Sequence, residues 1–269
     1  MDALYGRRLE EDSRGTVRVR SSRIMQNWES TIDQPTLTQL NRVGAKSWDN
    51  FVDAGRTISA VIEKEIVTFF QGLGRRPTTL DFGCGVGRVF LPLHFRDFFD
   101  LLGCDVDPDA VRYLRRVAAP ADVRRSNYDP PLQFPDAAFD CVYSVSIWTH
   151  LNPRLGIRWL HEIKRVLKPG GLALITTSGY RALATRHKRG DKGWDKVSDE
   201  GLKREGIIFI EYERFRSQPA AYPGITASYG LTAHDPDYVK REWSTIMPVV
   251  SVQQAVIANV QDLVTMVRP

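Results

Sequence analysis

Cysteine is scarce, with Cys84, Cys104 and Cys141 the only three in 269 residues. Spacings this wide fit no zinc motif and agree with a reducing compartment. Each falls at or near an expected strand, where a free thiol behaves as a small buried hydrophobe. The histidines are as dispersed: His94, His161, His187 and His234 have no partners at ligand spacing, so no metal site is expected. No run of eighteen apolar residues occurs, which excludes a membrane-spanning helix on sequence grounds. The first residues are charged and carry no apolar signal core, so a cytoplasmic protein is expected. Internal repeats and low-complexity tracts are also missing.

What the chain does contain is an ordinary globular composition, 42% hydrophobic and 10% aromatic, enough for a sizeable core. Its length suits one domain with an insertion or two small domains. The formal charge of +5 is spread along the chain. Its densest cluster, Arg181, Arg186, Lys188, Arg189 and Lys192, reads as a solvated loop. No separate recognition module accompanies it, which argues against a nucleic-acid substrate.

Residues 1–46 are polar and without period, and are expected to be extended or partly ordered, with Trp28 pinning them to the domain. From Ser47 the pattern turns helical: Phe51, Ala54, Ile58, Val61, Ile62, Ile66 and Phe69 recur at three- and four-residue steps. Gly72 and Gly74 stop it. An apolar strand then runs into Asp81-Phe82-Gly83-Cys84-Gly85-Val86-Gly87-Arg88, and a helix is expected over Val86–Phe98. A strand that turns so sharply needs residues free to take positive φ, and missing side chains let a ligand lie on the backbone. The spacing is neither the dinucleotide fingerprint nor the phosphate loop of nucleotidases. Asp81 faces the turn and suits a cationic ligand group.

Downstream, Leu101–Cys104 is a strand ending at Asp105, and Val123–Ser126 and Asp140–Ser146 are further strands. Asp107-Pro108, Asn152-Pro153 and Asp235-Pro236 each read as an N-cap followed by proline at the first helical position. The helix over Arg154–Leu167 stops at Lys168-Pro169-Gly170-Gly171, and Leu172–Thr177 is the fifth strand. Gly179–Tyr229 breaks the rhythm with charge, aromatics and one strand-like run, Ile207–Phe215. A helix over Pro236–Ser244 resumes it, and Met247–Val252 with Leu263–Val267 reads as a closing hairpin. Strands and helices alternating at this spacing predict a mostly parallel α/β sheet covered on both faces.

The order of glycine loop, Asp105, Asn127, Phe139-Asp140 and Arg165–Gly171 resembles the motifs of class I S-adenosylmethionine-dependent methyltransferases over about Thr79–Ser178. The resemblance implies a Rossmann-like, doubly wound sheet of seven strands with an antiparallel C-terminal hairpin. It makes 47–269 the methyltransferase domain and 179–229 an inserted cap. It also implies S-adenosylmethionine as cofactor, with S-adenosylhomocysteine as product. Gly83, Gly85 and Gly87 then permit the cofactor's approach, Asp81 faces its ammonium, and Asp105 holds the ribose. Asn127 contacts the adenine amine, where the family more often has aspartate. Cys84, Val106, Tyr128 and Ser144 complete the cofactor surroundings, and Arg56 pairs with the carboxylate. Asp140 and the Pro169-Gly170-Gly171 turn are structural.

The acceptor is expected to be a small molecule. Trp148, Tyr212 and Tyr222 are its expected contacts, and His150, after the fourth strand, is the candidate base because an ordinary imidazole titrates near neutrality. An oxygen acceptor is the first reading. The alternatives are nitrogen methylation by proximity, or a fold that binds the cofactor without transfer.

Overall fold

The computed structural model describes residues 9–11, 17–19 and 27–269 except 97, 219 and 220. Two short antiparallel strands, β1 (Leu9–Glu11) and β2 (Val17–Val19), come first. The remainder of 1–26, part of the segment expected to be extended, lies outside the described residues. From residue 27 that segment is ordered. Trp28 is 2% exposed and packs edge-on against Trp48 and in parallel with Phe95, at ring-centre distances of 5.9 and 6.2 Å. Helix α1 (Leu37–Arg42) follows, started by a reciprocal cap in which Thr36 and Gln39 satisfy each other's backbone N–H.

Ser47 caps α2 (Trp48–Phe69) by accepting from the Asn50 N–H, and Phe51, Ile58, Ile62 and Ile66 form its buried stripe. Gly55 on this helix sits against the backbone: a Cβ there would lie 2.3 Å from the Arg88 carbonyl oxygen. Nothing at that contact can rotate away, so Gly55→Val should destabilise the protein by about 1–3 kcal/mol through overpacking. Urea denaturation checks this, and an unchanged midpoint would show that α2 does not depend on that close approach.

The chain continues through β3 (Thr78–Phe82), α3 (Phe90–His94), β4 (Asp100–Asp105), α4 (Pro108–Val117), β5 (Val123–Arg125), β6 (Phe139–Ser144), α5 (Pro153–Val166) and β7 (Leu167–Thr177). Then come α6 (Tyr180–Arg189), α7 (Asp199–Glu205), β8 (Ile207–Glu211), α8 (Glu213–Ser217) and β9 (Gly230–His234). The one-turn α9 (Pro236–Tyr238) leads by a π-helical turn into β10 (Val249–Ile257) and β11 (Gln261–Val267).

Seven strands form one sheet in the order β10-β11-β7-β6-β3-β4-β5, with only β11 opposed to the rest. Strand alternation divides the core between the two faces. Cys141, Tyr143, Leu172 and Leu174 meet α2, α3 and α4, while Val142, Ala173 and Ile175 meet α5 and the π-helical turn. The three Asx-Pro starts cap as read: Asp107, Asn152 and Asp235 each accept from backbone N–H groups of their own first turn. Asp140 ties the base of the sheet together through Arg75, Lys168 and the Thr78 N–H. Burial pushes its carboxyl up, but these partners hold it well below the usual range.

Three elements differ from the sequence reading. The helix expected over Val86–Phe98 is confined to Phe90–His94, because Gly83, Gly85 and Gly87 all take positive φ and the chain stays in turns until Val89. The helix expected over Pro236–Ser244 is a single α turn followed by the π-helical one. The strand expected over Ile207–Phe215 ends at Glu211 and pairs with β9, so the cap reaches His234 instead of stopping at Tyr229. The cap has a core of its own, built on Leu183, Trp194, Val197, Leu202, Leu231 and Ala233. An insertion this large and aromatic buries its own apolar surface. Among the described residues, no helix is long and apolar enough to cross a membrane, and no cluster of three metal-ligating side chains occurs.

Candidate cofactor and acceptor site

The site forms where β3 and β4 end side by side. Gly83 N and Cys84 N both donate to the Cys104 carbonyl, at 2.8 and 3.1 Å, which curls the glycine loop back over the neighbouring strand. The loop then clasps Asp105: Gly85 N donates to Oδ2 at 2.7 Å and Asp107 N to Oδ1 at 2.8 Å. Burial pushes the Asp105 carboxyl up to about 6, and these donors oppose the rise. Each oxygen keeps a second lone pair for a ligand.

Asp81 lies deeper, 3% exposed, and accepts from the Tyr143 hydroxyl at 2.8 Å. Burial pushes its pKa up to about 8, and the charge of Asp105 adds to the rise. The Tyr143 hydrogen bond and the positive charge of Arg88 pull the other way. Arg88 follows the loop and donates from Nη1 to the Val43 carbonyl at 2.6 Å. Its Nε is buried with no hydrogen-bond partner. Burial lowers the guanidinium pKa, and Asp81 partly restores it.

The missing side chains of the loop serve two purposes. A Cβ on Gly87 would meet Leu114 and Leu91, so this glycine lets helices pack close. Cβ atoms on Gly83 and Gly85 would fall 2.3 Å from Ile147 Cδ1 and 2.9 Å from Val43 Cγ1, the tips of side chains that cover the loop. Ser146, with φ of 65°, turns the chain so that Ile147 returns over Gly83. Val43 comes from the turn after α1, which is anchored by Arg42 on Asp107 at 2.8 Å. The segment before α2 thus forms one side of the site.

Several expected site residues take other positions. Arg56 pairs with Glu29, so its guanidinium is engaged by the N-terminal segment. Trp148 is 1% exposed, donates to the Gly156 carbonyl at 3.1 Å and packs between Phe82 and Trp243. A ring enclosed in this way has no face for an acceptor. Ser144 is buried and donates to the Phe82 carbonyl at 2.9 Å, joining β6 to β3. The Cys84 thiol packs inward near Gly103 and burial pushes it up, which leaves the ligand only its backbone. The Tyr128 hydroxyl donates to the Ser228 carbonyl and ties the cap to the sheet. Asn127 is exposed in a cleft of about 670 Å³ beside Arg115, Arg124 and Arg125 at the sheet edge. Val106 is covered by the cap, for a Cβ on Gly224 would lie 2.1 Å from its carbonyl oxygen.

Over the end of β6 the cap presents a wall of rings to His150. Tyr229 lies against the imidazole at 5.1 Å and 29°, and Tyr212 and Tyr222 lie parallel to each other at 6.3 Å. Phe215 packs edge-on to Tyr222 and Tyr229. His150 Nδ1 is 2.7 Å from the Gly230 carbonyl and 3.2 Å from the Tyr212 hydroxyl. A carbonyl can only accept, so Nδ1 carries the proton and Nε2 is the basic nitrogen. Burial pushes His150 down to about 4, the Gly230 bond resists, and Arg186 adds to the fall. The near-neutral titration of an ordinary imidazole is therefore corrected: His150 stays uncharged at neutral pH. Burial pushes the Tyr229 hydroxyl up, and the charges of Tyr212 and Asp105 add to the rise.

Tyr143, Arg88, Val43, Ile147 and Gly230 were not among the expected site residues. Arg88 alone carries a local signal, its place directly after the loop. The others arrive from distant strands and turns.

Residues 80–175 match the family model described as a methyltransferase domain. Over 106 residues the chain is 32% identical to 2-methyl-6-phytyl-1,4-hydroquinone methyltransferase of Synechocystis sp., covering 39% of this chain and 33% of that protein. It is 29% identical over 174 residues to sterol 24-C-methyltransferase erg6 of Aspergillus fumigatus, covering 57% of this chain and 45% of that protein. The chain thus spans between a third and a half of these curated relatives. Among solved structures, 1,6-didemethyltoxoflavin-N1-methyltransferase of Burkholderia thailandensis has a TM-score of 0.54 at 14% identity, covering 88% of this chain and 93% of that one. A SAM-dependent methyltransferase of Methanosarcina mazei has a TM-score of 0.54 at 19% identity, covering 76% and 96%. At these identities the structural likeness concerns the fold.

Proposed function

We propose that this chain, whose residues 80–175 match a methyltransferase domain, is a class I S-adenosylmethionine-dependent methyltransferase that methylates an oxygen of a small molecule seated against the tyrosine wall. The residues present suit the cofactor. The glycine loop offers its backbone beside the covering Ile147 and Val43 side chains, Asp81 and Asp105 supply acceptors, and Arg88 Nε is a buried donor without a partner. Asp81 would hold the ammonium and Asp105 the ribose hydroxyls. When bound, the cofactor supplies an activated methyl group on its sulfonium.

The chain's own part is to orient and to receive a proton. The observation that carries the reading is the fixed tautomer of His150, whose Nδ1–H is held by Gly230 so that Nε2 can take the acceptor's hydroxyl proton. Tyr212, Tyr222 and Tyr229 offer ring faces to a flat or apolar acceptor and exclude water. Alignment in line with the methyl group supplies several kcal/mol of barrier reduction without any further group. A nitrogen acceptor positioned by proximity is the second reading, favoured by the weak basicity of His150.

The test is to incubate the purified protein with methyl-labelled cofactor and metabolite extracts, isolate what gains the label, and assign the methylated atom by NMR. An O-methyl product supports the proposal, an N-methyl product selects the second reading, and tight cofactor binding without transfer to any extract would defeat both. The cofactor assignment has its own check. Hydrogen bonds to a charged group contribute about 1.5–3 kcal/mol, so Asp105→Ala should weaken S-adenosylhomocysteine binding by about tenfold or more in calorimetry. Undiminished affinity in a folded variant would remove Asp105 from the ribose site.

A further inference from the structure

We propose that Arg88 anchors the carboxylate of the cofactor's amino-acid end and forms with Asp81 a clamp of opposite charges. The proposal rests on the cofactor reading above and adds a residue to it. An α-amino acid end carries its ammonium and carboxylate on one carbon, so a site that binds it needs an anion and a cation on the same side. Around the glycine loop the anions are plentiful: Asp81, Asp105 and Asp107. Any of them left facing the ligand's carboxylate would repel it.

Against them stand three cations, and two are committed. Arg42 is paired with Asp107 at 2.8 Å and Asp109 at 3.6 Å. Arg56 is held by Glu29. Arg88 differs from both. Its Nη1 is taken by the Val43 carbonyl, while Nε is buried with no hydrogen-bond partner. A guanidinium offers two forked edges, and engaging Nη1 leaves the Nε/Nη2 edge, whose spacing matches the two oxygens of a carboxylate. A buried donor without a partner is costly, which a carboxylate on that edge would remedy.

Position agrees with chemistry. Arg88 lies one residue past Gly87, and its charge reaches Asp81. Its bonded partner Val43 is the residue that covers Gly85, so the guanidinium spans from the loop to the α1 side of the site. Gly55 of α2 sits on the Arg88 carbonyl and fixes the backbone beneath it. The ammonium on Asp81 and the carboxylate on Arg88 would hold the amino-acid end beside the glycine loop, next to the Val43 and Ile147 side chains that cover it.

Calorimetric binding of S-adenosylhomocysteine and of its decarboxylated analogue, which keeps the amine, tests this without turnover. Arg88→Met should weaken S-adenosylhomocysteine binding by roughly ten- to hundredfold and leave the decarboxylated analogue within about twofold. Arg88→Lys, which keeps the charge and loses the fork, should fall between wild type and Met, and it serves alone if the Met variant does not fold. Equal losses for both ligands would make Arg88 a structural counter-ion of Asp81 and overturn the proposal, as would no loss for either. Wild-type protein that binds neither ligand would defeat the cofactor reading itself, a result distinct from a variant that fails to discriminate.

Discussion

Replacing His150 with alanine should lower turnover by about a hundredfold or more and leave S-adenosylhomocysteine affinity within about twofold, the range expected for loss of one positioned base. The separation of the two effects follows from the structure. His150 belongs to the cap side of the site, against Tyr229 and the Gly230 carbonyl, whereas the cofactor residues gather at the ends of β3 and β4. The pH profile provides a second readout. With His150 pushed down to about 4, the base is already neutral at pH 7, and the acid limb of kcat should fall near 4, well below the 6.5 of an unperturbed imidazole. A limb near 6.5 that persists in the alanine variant belongs to some other group. Loss of less than about threefold would assign the reaction to proximity and orientation.

Cofactor affinity should rise about tenfold per pH unit from pH 6 to about 8 and then level off. The free protein holds Asp81 protonated across that range, because burial pushes its carboxyl up to about 8, while an ammonium binds best to the ionised form. The same shift sets the sign for stability. The folded pKa lies above the unfolded value of about 3.9, so the carboxyl's stabilising contribution is full below that value and is lost as pH rises through about 8. A bound cation offsets this loss, so thermal protection by S-adenosylhomocysteine should grow with pH over the same window. Asp81→Asn should flatten both curves. A slope that survives over this window in Asp81→Asn would assign the proton to some other group, because Asp105, pushed up to about 6, gives a slope only below about pH 6.

Much of the framework was legible from local chemistry. The glycine loop, the helix caps at Asp107, Asn152 and Asp235, and the buried stripe of α2 are each decided by a few neighbouring residues. A cap is a contact between a side chain and its own first turn, and a stripe is a matter of period. The alternation of strand and helix then restricts the sheet to a small set of parallel arrangements. That Asp81 and Asp105 fall at the ends of neighbouring strands, where we propose the ligand binds, follows from the same local reading.

Only the tertiary structure decided which side chains share the site. The cap's strand pairs with Gly230–His234, far along the chain, and this pairing carries Tyr212 to His150 and brings the Gly230 carbonyl to Nδ1. Sequence spacing does not encode such contacts. Trp148 illustrates the converse: an aromatic two residues before His150 is enclosed by Phe82 and Trp243, since an isolated residue type does not reveal the face it turns to the core. Arg88 is marked in the sequence only by its place after the loop, and the structure separates it from Arg56, which Glu29 engages while the Arg88 Nε is buried and unpaired. Protonation was decided the same way. His150, Asp81 and Asp105 have ordinary intrinsic acidities, and it is desolvation, which arises only when distant elements close over them, that moves each one.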